Sequence, residues 1–363
     1  MPAADTTHGR RGRLRVGLPA ALRALGPASG HGRVWSGVLP ALSRHVRLLE
    51  RRIEGERPTR PGPFRRQPEV WLGDGHAGAL AVEEPVVLQV HEIGWQDPEL
   101  RAVLHPDFAR AIEEATASAV RAAARVIVPS MASREQVIAG CDIAPEHVHA
   151  VPHGVDSQRF RPGLAGGREM VARALGGRVA PYVLFASQLH PRKNLDALRT
   201  AIAALAARGF PHVLAIVGGP AQDRPDPDAL VAAAVAELPG APGRVVRLTA
   251  EADAELAALM AGADAFCLPS LHEGFGLTVL EAMACGSAVI ASDRGALPDL
   301  IGDAGVLVEP SAAAVEAALG RVLADPADAR RLGEAARARA LELTWERTAR
   351  GWASVLEQAA RGG

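Results

Sequence analysis

The sequence predicts an α/β protein of two domains, each a parallel sheet dressed with helices, facing one another. Its 363 residues are long for one hydrophobic core and comfortable for two. Short apolar runs alternate with helically spaced segments through most of the chain, as in successive βαβ units. Between residues 161 and 178 the pattern fades into Gly- and Arg-rich sequence containing Pro162, Gly163, Gly166 and Gly167, which marks the boundary. The expected domains are therefore 14–165 and 166–340, preceded by a polar, disordered tail over 1–13.

The first apolar strand, residues 14–18, leads into Ala28-Ser-Gly-His-Gly-Arg-Val-Trp35, after which Val38, Leu39, Leu42, Val46 and Leu49 recur at helical spacing. Gly30 and Gly32 admit either a ligand close to the backbone or a plain turn, and a Gly-x-Gly alone does not choose. Arginines and prolines crowd residues 44–66, partly offset by Glu50, Glu54 and Glu56. That segment reads as a solvated loop; the other reading is a basic face for an anionic membrane or an acceptor phosphate. Residues 86–90 form a buried-type strand ending at His91-Glu92-Ile-Gly94. Ligands of open α/β sheets sit beyond the carboxyl ends of strands, so His91 is a substrate-facing candidate, although most lone histidines are structural. A helix through Phe108, Ile112, Ala119 and Ala123 and a strand over 126–128 follow. Ser133 and Gln136 have capping-box spacing, and capping suffices to explain both Ser130 and Ser133. Residues 147–151 are the last strand of this domain, closing on Pro152-His-Gly-Val-Asp156.

The second domain opens with a strand over 182–186, then Ser187-Gln-Leu-His-Pro-Arg-Lys-Asn194, then a helix through Leu198, Ile202 and Leu205. Arg192 and Lys193 stand near that helix's start, where cations are disfavoured unless an anion intervenes, and a diphosphate would be such an anion. Of the 40 basic residues Lys193 is the one lysine. In a chain so biased toward arginine, its survival fits a site that needs a compact ammonium beside phosphate, or chance. Strands over 213–217 and 244–248 and a helix over 254–260 come next. Asp226-Pro-Asp228 superficially matches metal-holding aspartate pairs, but one match in a loop rich in Asp and Pro carries no metal. Further strands over 288–291 and 305–308 flank a helix start at 295–299, and the later helices carry Leu319, Val322, Leu332, Trp345, Trp352 and Leu356 as packing residues.

The most informative stretch is Ser270-Leu-His-Glu-Gly-Phe-Gly-Leu-Thr-Val-Leu-Glu-Ala-Met-Ala-Cys-Gly286. An apolar strand over 265–268 breaks at Pro269, turns through Gly274 and Gly276, and resumes with helical spacing at Leu277, Leu280 and Met283. Glycines let a ligand approach the backbone, and the first amides of a helix lack partners within it. Glu273 lies in the loop and Glu281 on the helix; carboxylates readily accept from vicinal hydroxyls, one set on a sugar and one on a ribose. An ordinary βα unit with a surface Glu and a packing Gly is the competing reading.

A formal charge of −1 and a pI near 6.9 give no whole-protein reason to expect nucleic acid as a partner. Cys141, Cys267 and Cys285 are odd in number and far apart, which fits packing residues in a reducing cytosol rather than disulfides or zinc. The sequence holds no apolar run long enough for a membrane span and no signal-peptide core at its start.

From about Leu14 onward the chain resembles the family 4 glycosyltransferases of the GT-B fold. The carriers are Ser29-Gly-His-Gly-Arg33, the strand-terminal His91, Val151-Pro-His-Gly-Val-Asp156, Pro191-Arg-Lys-Asn194 and, most specifically, the segment from Glu273 to Glu281. The resemblance implies two facing Rossmann-like domains with an interlobe cleft, with residues 341–363 packing back on the first. It implies a retaining transfer of a hexose from a nucleotide diphosphate donor, without cofactor or obligatory metal. Arg192 and Lys193 would neutralise the diphosphate, Glu281 would bind ribose hydroxyls, and Glu273 with the amides of Gly274, Phe275, Gly276 and Leu277 would hold the donor sugar. His91 would face that sugar, and Gly30 and Gly32 would leave room beside the phosphates. The Ser-Gly-x-Gly-Arg and His-acid patterns lean toward the mannosyltransferase-like branch, with GDP-mannose as donor and a glycan, lipid-linked or small-molecule hydroxyl as acceptor. A UDP-sugar enzyme of the same family, a phosphorylase- or epimerase-like activity, and an inactive sugar-nucleotide-binding relative are the alternatives. A cytoplasmic location is expected, with residues 44–66 as the place for any contact with the inner membrane face. Three departures stand out: Ser187-Gln188 where a glycine and a small or basic residue are usual, Glu92 for the common Asp, and His153 for the common Asn.

Overall fold

The computed structural model describes residues 13–25, 29–58, 66–77, 79–94, 97–103, 106–220 and 226–362. Residues 1–12 of the expected tail, 59–65 of the basic segment and 221–225 of the Asp- and Pro-rich loop lie outside the described residues. The first sheet comprises β1 (Arg15–Pro19), β2 (Arg47–Arg51), β3 (Val70–Asp74), β4 (Val86–Gln89), β5 (Arg125–Val128) and β6 (Val148–Ala150). All are parallel, in the order β2-β1-β3-β4-β5-β6. The second sheet comprises β7 (Tyr182–Ala186), β8 (Val213–Val217), β9 (Val245–Leu248), β10 (Ala265–Leu268), β11 (Val289–Ser292) and β12 (Val306–Val308). It too is parallel, in the order β9-β8-β7-β10-β11-β12. The strands β7, β8 and β10 are apolar along their whole length because helices cover both faces, and every residue of β7, β8, β10 and β11 is buried.

Strand order reverses between β1 and β3 in one lobe and between β7 and β10 in the other. At such a point the connections leave toward opposite faces, opening a crevice beyond the carboxyl ends of the strands. The elements that matter below all start there: α1 (Gly30–Leu42) after β1, α2 (Met131–Cys141) after β5, α3 (Leu195–Ala207) after β7, α4 (Asp253–Gly262) after β9 and α5 (Leu277–Ala284) after β10.

The chain's last helix, α6 (Trp345–Arg361), belongs to the core of the first lobe. Trp352 and Trp35 are fully buried there and meet edge to face with ring centroids 5.4 Å apart, worth about 0.5–1.5 kcal/mol beyond the area they bury. Val155 pairs with Thr344 where the two crossing segments of chain run side by side.

Two expectations change. Residues 47–51, assigned to a solvated loop, form the edge strand β2, whose Arg47 and Glu50 stay exposed while its backbone pairs with β1. An edge strand packed on one side only can carry arginines, and this masks its periodicity. Strand β3 went unread, because five residues between basic and glycine-rich sequence hold too little pattern.

Candidate active site in the interlobe cleft

The carboxyl-terminal wall is the turn between β10 and α5. Gly276 takes φ 96°, a left-handed conformation, and a Cβ there would meet Leu297 Cδ2 at 2.7 Å, so glycine is required at this bend. Gly276 brings no capping side chain, so the first amides of α5 have no side-chain acceptor from the cap position. Leu277 opens the helix, and Phe275, buried, packs edge-on to His153 at 5.0 Å.

Glu273 is buried, and its Oε1 accepts from Lys193 Nζ at 2.6 Å and from Ser270 Oγ at 2.7 Å. Burial pushes its carboxyl up, but Lys193 and Arg192 together outweigh that and hold it below its ordinary value. Arg192 Nη1 donates to His272 O at 3.1 Å and lies 3.8 Å from Glu273 Oε2, while Nη2 pairs with Glu92 across the cleft at 3.0 Å. The two cations stand just before α3, as expected near its start, but not within it. They occupy a separate 3-10 turn, Pro191–Lys193, and Asn194 with φ 53° separates them from the helix. Lys193 is 7% exposed, so its charge is a buried one held by Glu273 rather than a solvated cleft charge.

Glu281 projects from α5 and is buried. Arg33 Nη1 donates to its Oε1 at 2.5 Å, and Arg33 Nη2 pairs with Asp253 at 3.1 Å, which Arg159 also contacts. Its Oε2 is buried with no hydrogen-bond partner among the described residues. Burial raises the Glu281 carboxyl to about 7, with Asp253 adding to the rise and Arg33 opposing it.

The amino-terminal wall is made of imidazoles. His91, just past β4, lies with Nε2 3.2 Å from Asp74 Oδ2; the carboxylate accepts, so Nε2 carries the proton. Asp74 ends β3, and the same oxygen accepts from Trp35 Nε1 at 3.0 Å while Oδ1 accepts from His76 N at 2.9 Å. Burial pushes Asp74 up, but its bond to His91 and the neighbouring rings bring it well below the usual carboxylate range. His31 stacks on His91 with centroids 4.0 Å apart and on His76 at 5.1 Å. Burial, then His91 and His76, push His31 down to about 3. Burial also lowers His76 and His153. Both ring nitrogens of His76, Nδ1 of His153 and Nε2 of His272 are buried without partners among the described residues. Such groups are costly when dry, and a polar ligand satisfies them.

Gly30 opens α1, and a Cβ there would meet nothing within 4 Å. The Gly32 amide is committed: it donates to the capping Ser29 Oγ at 3.0 Å. Gly274 lies against the opposite lobe. A Cβ there would lie 2.4 Å from His91 O, so the missing side chain admits the backbone of the opposite lobe. Its N donates to Glu92 Oε2 at 3.2 Å, and its O accepts from Ser130 Oγ at 2.9 Å and Ser133 Oγ at 3.0 Å. The two serines thus do more than cap. Ser130, not Ser133, is the N-cap of α2, and both hydroxyls hold the loop of the other lobe. Asp226 caps the helix Pro227–Val235 through Ala229 N at 2.9 Å, and Asp228 stands in the first turn of that helix.

Sequence reading missed Asp74, His31, His76, Arg33 and Asp253 as members of this site. His31 and Arg33 stand inside the quoted Gly-rich motif, and Asp74 closes the unread strand β3.

Residues 180–325 match the family described as glycosyl transferases group 1, and residues 66–159 match glycosyltransferase family 4. The chain is 35% identical over 240 residues to the MMP alpha-(1->4)-mannosyltransferase of Mycolicibacterium hassiacum, covering 64% of this chain and 54% of that protein. It is 30% identical over 296 residues to the alpha-maltose-1-phosphate synthase of Mycolicibacterium smegmatis, covering 78% of this chain and 74% of that one. It spans about half the length of the mannosyltransferase. Among solved structures, sucrose-phosphate synthase from Thermosynechococcus elongatus superposes with a TM-score of 0.74 at 22% identity, over 97% of this chain and 100% of that one.

Proposed function

The chain belongs to glycosyltransferase family 4, with the GT-B fold, and on that premise we propose that it moves a hexose from a nucleotide diphosphate donor to a hydroxyl acceptor, with retention and without an obligatory metal. Mannose from GDP-mannose is the first candidate donor, and a glycan, lipid-linked or small-molecule alcohol the acceptor. The observation that carries this reading is Glu281 Oε2, a buried carboxylate oxygen without a partner among the described residues. It lies on the wall that also presents Lys193, Arg192 and Glu273. A ribose hydroxyl supplies the missing donor to that oxygen.

The diphosphate then falls to Arg192 and Lys193, whose fixed charge favours a leaving group that gains negative charge as it departs. Both cations are paired with carboxylates, Lys193 with Glu273 and Arg192 with Glu92, and the diphosphate competes for them. Glu273 works as an ionised acceptor of sugar hydroxyls: Lys193 and Ser270 fix its orientation, and the cations keep it from holding a proton. It therefore suits positioning rather than general-acid work, and the acceptor hydroxyl attacks from the face the diphosphate leaves, with the leaving phosphate taking its proton. Asp74 fixes the tautomer of His91, so that Nε2 carries the proton toward Asp74 and Nδ1 keeps a lone pair.

The test is a thermal-shift panel of GDP- and UDP-linked sugars. A ligand selective for the folded state raises the melting temperature by mass action. A selective rise with GDP-mannose that vanishes in Glu281→Ala supports the donor and its site together. A selective rise with UDP-sugars reassigns the donor, and no rise with any nucleotide sugar overturns the reading.

A further inference from the structure

His31, Asp74 and His91 come from three separate elements, the start of α1, the end of β3 and the residues after β4, yet converge on one point. One nitrogen of each imidazole and one oxygen of the carboxylate all lie within 4.8 Å of one another. The Asp74 Oδ2 to His91 Nε2 separation of 3.2 Å matches the roughly 3.3 Å edge expected between two ligands bound at about 2.0–2.1 Å in tetrahedral geometry.

We propose that His31, Asp74 and His91 form a binding site for one divalent transition-metal ion, zinc being the best match, on the amino-terminal wall of the cleft.

Two imidazoles and a carboxylate form the mixed nitrogen and oxygen set that zinc accepts, whereas magnesium and calcium take oxygen ligands. An ion equidistant from atoms at those spacings would sit up to about 2.5 Å from each, roughly 0.5 Å beyond a bonded length. The partly exposed His31, at the second position of α1, takes up that difference by rotating out of its stack on His91, which also aims its lone pair at the ion. The outer shell exists already: Trp35 Nε1 and His76 N orient the Asp74 carboxylate. On binding, the ion replaces the proton between His91 Nε2 and Asp74, and that proton moves to Nδ1, so the ring stays neutral. Water or solvent fills the fourth position.

The ion and the His91–Asp74 hydrogen bond exclude one another. If the proposed transfer uses that bond, the metal is a brake on the enzyme. This consequence rests on the function proposed above; metal binding itself does not.

The experiment uses the full chain stripped with EDTA, titrated with zinc by calorimetry and with cobalt by visible absorption, without nucleotide or acceptor. One ion per chain is expected, with affinity falling at least 10-fold in His31→Gln and unchanged in His212→Gln, a half-buried histidine of the other lobe. Asp74→Asn, of the same size, provides the second comparison should His31→Gln not fold. Absence of binding, or affinity unaltered in a folded ligand variant, overturns the site. Where zinc binds, transfer that slows with zinc and recovers with EDTA supports the brake, and transfer indifferent to bound zinc overturns it. Failure of the proposed reaction leaves the spectra and the stoichiometry unchanged, so the two ideas fail separately.

Discussion

The wall of the cleft built by the second lobe presents charge, Arg192, Lys193, Glu273 and Glu281, while the wall built by the first presents four imidazoles around Asp74. The charged wall comes from two short stretches of sequence, residues 191–193 and 273–281. The imidazole wall comes from separate strand ends, and no two of its histidines share a familiar motif. Charges in a buried cleft must be paired, so that wall is rigid and expensive to alter. Stacked rings depend instead on packing and on single hydrogen bonds, so substitutions there should alter chemistry more than stability.

Lys193→Ala tests this contrast most severely. It leaves Glu273 buried without its closest cation, and a loss of about 3–5 kcal/mol in urea melts is expected together with loss of transfer. Lys193→Met combined with Glu273→Leu should regain most of that stability and none of the activity. Wild-type stability in Lys193→Ala would mean that the pair is solvated.

Glu281 sharpens the comparison through pH. Its folded carboxyl titrates near 7 against 4.5 as a reference, so the folded state binds the extra proton between those values. Stability is therefore highest below about 4.5 and falls as pH rises toward 7, by roughly 3 kcal/mol from this group. Glu281→Gln should flatten that slope in melts taken between pH 4.5 and 7.5, and donor affinity in the wild type should tighten as pH rises through 7. A slope shared equally by wild type and variant would place its origin elsewhere.

On the imidazole wall, His91→Ala should cost roughly 10–100-fold in kcat, the worth of one hydrogen bond to a charged group, with donor Kd changing less. The reverse split would move His91 to a binding role. The smallest effect is expected at the seam between the walls. Ser133→Ala removes one of two hydroxyls on Gly274 O and should lower stability by about 1 kcal/mol, since Ser130 remains.

The same asymmetry decided what could be read in advance. Alternation of apolar runs and helical spacing carried most strands, because β7 and β8 are apolar from end to end. Glu273, Arg192 and Lys193 were legible because each sits beside a glycine, a proline or a helix start that gives it a place, and Glu281 because it follows within the same glycine-turn helix. Asp74 was not, because its strand ends in Gly73-Asp74 and lies between basic and glycine-rich sequence, whereas β7 and β8, of the same length, are apolar throughout. Partners also escape a linear reading. That Arg33 would answer Glu281 across 248 positions, or that Ser130 would hold Gly274, depends on which strand ends the two sheets bring face to face.

Helix α6 carries a consequence for the order in which the molecule is made. Its Trp352 lies against Trp35 in the core of the lobe whose sheet is complete by Ala150. On the ribosome the first lobe therefore waits for a piece that emerges roughly 200 residues later, about 10–40 s at ordinary elongation rates. During that interval the apolar face around Trp35, Val38 and Leu42 has no native cover, while the second lobe can close its own sheet at once. The lobe translated first is thus the one that finishes folding last.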